Sequence, residues 1–71
     1  MFMIHIDGLD GSLDWNKPTL AEAIALATDE LRERRRPVNA NIIDSTNEQV
    51  VWGQEINESG IVSRTETAKP D

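Results

Sequence analysis

No cysteine occurs among the 71 residues, and in so short a chain this absence limits the possible folds more than any other feature. A domain near this length buries only roughly 60% of the surface its unfolded chain exposes. The usual reinforcements, disulfides and thiolate zinc sites, both need cysteine. Stability must therefore come from one small packed core, or from a partner. Two independent cores are excluded, and many catalytic folds are out of reach. Hydrophobic content of 38% and a mean hydropathy of −0.47 are low for a globular domain. The apolar residues nonetheless recur with regular periods, which predicts a folded body.

Phe2, Ile4 and Ile6 alternate with Met3, His5 and Asp7, the period-two pattern of a half-buried strand ending at Gly8. Residues 7–18 combine two Asp-Gly steps with Pro18 and read as a long connecting loop. Thr19-Leu-Ala-Glu22 has the form of a capping box. It opens a helix whose Leu20, Ile24, Ala27 and Leu31 form one apolar stripe, widened by Ala23, and which Pro37 ends near Arg35 or Arg36. Val38, Ala40 and Ile42 predict a second strand, and Val50, Trp52, Gln54 and Ile56 a third. Asp44–Glu48 and Asn57–Gly60 are turn chemistry, and Ile61–Ser63 can add a short further strand.

The expected architecture is α+β: a small β-α-β-β(-β) open, largely antiparallel sheet with one helix packed on one face. Residues 1–63 would form the single domain, and 64–71 a disordered tail. The passage from the first strand through the helix should leave the strand at Val38 parallel to the first. The covered face would carry Phe2, Ile4, Ile6, Val38, Ala40, Ile42, Val50, Trp52 and Ile56. The uncovered face would carry Met3, His5, Asn39, Asn41, Ile43, Val51 and Glu55.

Catalytic chemistry finds little to work with. The only histidine is His5 and there is no tyrosine, so a nucleophile and base would have to combine His5 with Ser12, Ser45, Ser59 or Ser63, none of which sits in a nucleophile-elbow context. Asp7, Asp10 and Asp14 suggest calcium, but an EF-hand wants ligands at alternate positions and a glutamate at the twelfth, where this chain has Pro18. Gly8 and Gly11 lack the remainder of a phosphate-binding loop. The expectation is a non-enzyme with no cofactor and no metal.

Charge is more informative. Residues 1–31 carry −5, residues 32–36 carry +3 and residues 37–71 carry −4, for a net −6. Two readings follow. An acidic domain can occupy a Lys/Arg groove built for nucleic-acid phosphates, with salt weakening the association. Asp10, Asp14 and Glu55 are the candidate contacts, and Trp15 the candidate anchor, since Trp is enriched among binding hot spots; lying over the edge of the core is its alternative role. In the other reading Arg32, Arg34, Arg35 and Arg36 contact phosphates directly. Against it, arginines at a helix C-terminus complement the dipole and pair with Asp29, Glu30 and Glu33.

The opening strand, the helix Leu20–Leu31 and the hairpin Ile42–Gly53 together resemble small β-α-β-β proteins of phages and mobile elements, including some anti-CRISPR proteins. The resemblance is one of layout and size and carries no diagnostic motif. It implies a non-enzymatic inhibitor that masks the basic surface of a host protein or ribonucleoprotein complex. The alternatives are a nucleic-acid-binding module using the arginines, and a dimerising accessory domain using the open sheet face or an edge strand. Apolar runs fall far short of the roughly 20 residues that span a bilayer, and Met1 does not open a signal peptide. The expected setting is therefore cytoplasmic, in a bacterial host if the resemblance holds, with no membrane partner.

Overall fold

The computed structural model describes residues 1–65. Its elements run β1 (Phe2–Gly8), β2 (Gly11–Lys17), α1 (Leu20–Glu33), β3 (Val38–Asp44), β4 (Gln49–Ile56) and β5 (Val62–Thr65). The strands form one sheet in the order β2-β1-β3-β4-β5, every neighbouring pair antiparallel. The helix packs on β1, β3 and β2. This is the expected α+β class, an open antiparallel sheet with one helix on one face.

The segment expected to be a loop is largely β2. Gly8 and Gly11 pair across a Leu9–Asp10 turn, with Gly11 at φ 106° supplying a backbone conformation that L side chains rarely adopt. This hairpin corrects the strand directions. The chain reverses before it enters the helix, so the strand at Val38 runs antiparallel to β1. The crossover instead joins β2 to β3, parallel to each other with β1 between them.

Thr19 caps α1, its hydroxyl accepting from the Glu22 N–H at 3.2 Å. Replacing Thr19 with alanine should lower stability by about 1 kcal/mol, read by chemical denaturation, because that N–H loses its acceptor. The helix ends at Glu33 rather than at Arg35 or Arg36. Arg34 is the C-cap in an extended conformation, its N–H donating to the Glu30 carbonyl.

The core contains Ile4, Ile6, Val38, Ala40, Ile42 and Trp52 from the sheet and Ala23, Ala27 and Leu31 from the helix. Phe2, Leu20, Ile24 and Ile56 pack at its margin. Its central layer is one cross-strand row: Trp15, Ile4, Ile42, Trp52. Val50 is the exception to the expected covered face. Ile42 pairs with Trp52 but Ile43 with Val50, so Val51 is an extra residue in β4. Such a bulge shifts the alternation of side chains. Val50 consequently faces the open side, 43% exposed, while Val51 packs against the core.

Two turns follow the expected chemistry. The Asp44 carboxylate accepts from the Thr46 N–H, and the Asn57 side-chain carbonyl from the Ser59 and Ile61 N–H groups. Arg64 and Thr65, assigned to the tail by sequence, belong to β5. The rest of that expected tail, 66–71, lies outside the described residues. No helix among the described residues is long and apolar enough to cross a membrane.

Candidate functional site

Because α1 covers only one side of the sheet, the residues alternating with the core form an open second face. The pairing register arranges them in cross-strand rows. One row reads Ser12, Asp7, Asn39, Glu55, Ser63 from β2 to β5. The next reads Asp14, His5, Asn41, Gly53, and the third Asn16, Met3, Ile43, Val50. Two rows are almost wholly polar and the third is mixed.

Gly53 has no side chain to place beside Asn41, and a shallow concavity of about 190 Å³ lies there, lined by Asn39, Asn41, Gly53, Glu55 and Ser63 among others. A second of about 270 Å³ runs from it towards the β1–β2 turn, between Asp7 and Glu55, with Leu9, Pro37 and Val38 as apolar walls. Asp7 and Glu55 sit on either side of Asn39, two strand spacings or about 10 Å apart.

The polar groups bond to one another locally. His5 Nδ1 lies 2.6 Å from Asp14 Oδ1; with the carboxylate ionised, the ring N–H is the donor. The Ser12 hydroxyl donates to Asp7 Oδ1 at 2.8 Å. The histidine and the nearest serine thus have other partners than each other, and the surface around them is shallow. Ser45 donates to the Met1 carbonyl. Among the described residues, no three side chains of the metal-binding type come together.

Carboxylates stand on both sides of the sheet, but the described cations keep to one. Asp7, Asp14 and Glu55 stand on the open face, and no Lys or Arg among the described residues shares it. Lys17 and Arg64 occupy register positions on the helix side. Arg32 lies on α1, and Arg34, Arg35 and Arg36 on the connection to β3.

The four residues expected to contact a partner are divided by this arrangement. Asp14 and Glu55 share the open face, three strands apart. Trp15 is on the opposite side, half-buried against the core at the edge strand, which is the edge-covering role. Asp10 is at the hairpin turn, its carboxylate 3.5 Å from Arg35 Nη2. Asp7 completes the acidic face and was not among the expected contacts. Its outward position at the end of the β1 alternation is the signal that points to it.

The arginines do not form a common patch. Arg34 pairs with Glu30 at 3.1 Å and is largely buried. Arg32 is 3.9 Å from Asp29, and Arg35 reaches to Asp10. Arg36 lies against the β4–β5 turn: a Cβ on Gly60 would stand 2.6 Å from its Nη1. Arg32 and Arg34 thus turn back onto α1, Arg35 to the hairpin turn and Arg36 to the β4–β5 turn. No protein-family model, curated protein or solved structure matches this chain.

Proposed function

We propose that this chain is a non-enzymatic binding protein whose open, acidic sheet face docks on a basic surface of a partner, in the manner of an inhibitor that masks a nucleic-acid-binding site of a host complex. The observation that carries the reading is the placement of charge: Asp7, Asp14 and Glu55 on a face without Lys or Arg among the described residues, and Arg32, Arg34 and Arg35 elsewhere with acidic partners in the chain. Carboxylates gathered on one side repel one another weakly in water and gain when a cationic surface covers them. Asn39, Asn41 and Ser63 add neutral donors and acceptors around them. The functional part of the molecule is thus the face opposite the helix, and Trp15 serves the core rather than the contact. The dispersal of Arg32, Arg34, Arg35 and Arg36 weighs against direct phosphate binding by a cluster.

The test compares two neutralised variants of equal net charge. One is Asp7→Asn, Asp14→Asn and Glu55→Gln on the open face. The other is Glu22→Gln, Asp29→Asn and Glu33→Gln on the exposed side of α1. Affinity capture from host lysate at low and physiological salt should enrich a basic, nucleic-acid-processing protein, more strongly at low salt. Titration of that purified protein should then show binding weakened about tenfold or more by the open-face variant, at up to about 1 kcal/mol per charge, and little changed by the helix variant. Equal weakening by both would reduce the effect to net charge and overturn the assignment of the face. Capture of nucleic acid alone, lost on replacing the four arginines with alanine, would favour the phosphate-binding alternative.

A further inference from the structure

The two edges of the sheet are unlike. β5 has four residues among those described, whereas β2 has seven in unbroken register with β1. Regular, unpaired edges of that length are templates for another strand, and proteins usually blunt them with bulges, prolines or central charges. Of these devices β2 has only the central charge of Asp14: it has no bulge, and its proline comes only after its last residue, at Pro18. Since Gly8 and Gly11 form the hydrogen-bonded pair that closes the hairpin, the alternation of an antiparallel ladder turns the N–H and C=O groups of Ser12, Asp14 and Asn16 away from β1, towards the free edge.

From this edge we infer that β2 pairs antiparallel with β2 of a second copy of the chain, across a two-fold axis at Leu13. The side chains select both partner and register. A two-fold axis perpendicular to the sheet keeps both helices on the same side and opposes residues of the same face only. An axis at Asp14 would set that carboxylate directly against its own copy, a destabilising pair. An axis at Trp15 would leave Leu13 opposite a lysine.

An axis at Leu13 sets Leu13, 48% exposed in the single chain, against itself. It places each Ser12 opposite Asp14 of the other copy, a hydroxyl facing a carboxylate, with the backbone groups of both available to bond. It also sets Trp15 opposite Gly11, where nothing lies within 4 Å of the position a Cβ would take. The indole thereby gains a neighbour with room for it, the pairing that compensates an edge glycine. The strand is self-complementary in this register, which an unrelated extended peptide has no reason to match. Because both open faces then point the same way, the acidic surface becomes continuous across the dimer.

Two acidic chains repel, so self-association should strengthen with added salt, opposite in sign to docking on a basic partner. Sedimentation over a range of protein concentrations should show the mass rising from 7.9 kDa towards twice that value, further at high salt. Leu13→Lys, at an exposed position, should hold the chain at the single-chain mass with an unchanged circular dichroism spectrum. Leu13→Cys gives an independent readout in a chain that has no other cysteine. Directly opposed residues of a non-hydrogen-bonded pair stand about 4.5 Å apart at Cα, within reach of a disulfide. This variant should oxidise to a covalent dimer much faster than Asn16→Cys or Ser63→Cys. A chain that stays single at every concentration and salt overturns the proposal. So does a dimer that cross-links faster through Asn16→Cys or Ser63→Cys, or one that survives Leu13→Lys.

Discussion

Replacing Trp52 with alanine is expected to remove a large share of the chain's stability, so that mild denaturant unfolds it. Trp52 is 3% exposed and supplies the only β4 side chain in the fully buried core. The helix rests on β1, β2 and β3, so this indole, with Val51 and Ile56 at the margin, ties the β4–β5 half of the sheet into the same core. Truncating a buried Trp costs about 3–5 kcal/mol. A domain of this length has about 4–10 kcal/mol in total, at 0.05–0.15 kcal/mol per residue, and no disulfide limits the entropy of its unfolded state. The check, in mild denaturant, is amide dispersion in a proton–nitrogen correlation spectrum together with the emission of Trp15, which should move to the wavelength of a solvated indole. A dispersed spectrum and a cooperative transition near the wild-type midpoint would show that β4 is held by other means.

The same residue shows where sequence reasoning stops. Trp52 was legible as core, because Trp52, Gln54 and Ile56 alternate with Gly53 and Glu55. The run Val50-Val51-Trp52 has no alternation of its own, however, and three adjacent apolar residues do not reveal which of them is the inserted one. Only the pairing of Ile43 with Val50 shows that Val50 faces outward. β2 is a different case. Leu13 and Trp15 do alternate with Ser12, Asp14 and Asn16, but only Trp15 of these is appreciably buried, and the flanking Asp-Gly steps and Pro18 carry strong loop signals. A polar edge strand satisfies its backbone on one side alone, so its sequence is under weak demand to look like a strand.

The candidate site was legible in its parts and not in its assembly. Outward positions followed from alternation, and Asp14 and Glu55 could be read as carboxylates available to a partner. Their relation to Asp7 depends on β1 and β4 both flanking β3, a strand order that no local pattern encodes. Asp10 and Arg35 were assigned to opposing hypotheses and lie 3.5 Å apart. That contact joins the hairpin turn to the end of the helix across 25 residues of sequence. Both being exposed, the pair has little energetic weight. It does place the basic segment and the hairpin turn beside one another, away from the sheet face that carries Asp14 and Glu55.

Among the core isoleucines, alanine should cost more at Ile42 than at Ile4, although both are fully buried. Both deletions remove the same atoms, with a range of about 2–5 kcal/mol, and the difference lies in what can close the cavity. Ile4 lies between Ile42 and Trp15. Trp15 belongs to an edge strand and is only half-buried, so its indole can settle into part of the space left behind. Ile42 lies between Ile4 and Trp52, both already enclosed and with the sheet continuing on either side. Its cavity should persist, which puts Ile42→Ala towards the upper end of the range and Ile4→Ala towards the lower. Denaturant titration of the two variants measures the order directly, and a red or blue shift of Trp15 emission in Ile4→Ala alone would report the movement. Equal costs would mean that Trp15 is held as firmly as Trp52. The β2 edge would then be a rigid wall of the core, and strand pairing there would have to proceed without adjustment of the indole that faces Gly11 of the second copy.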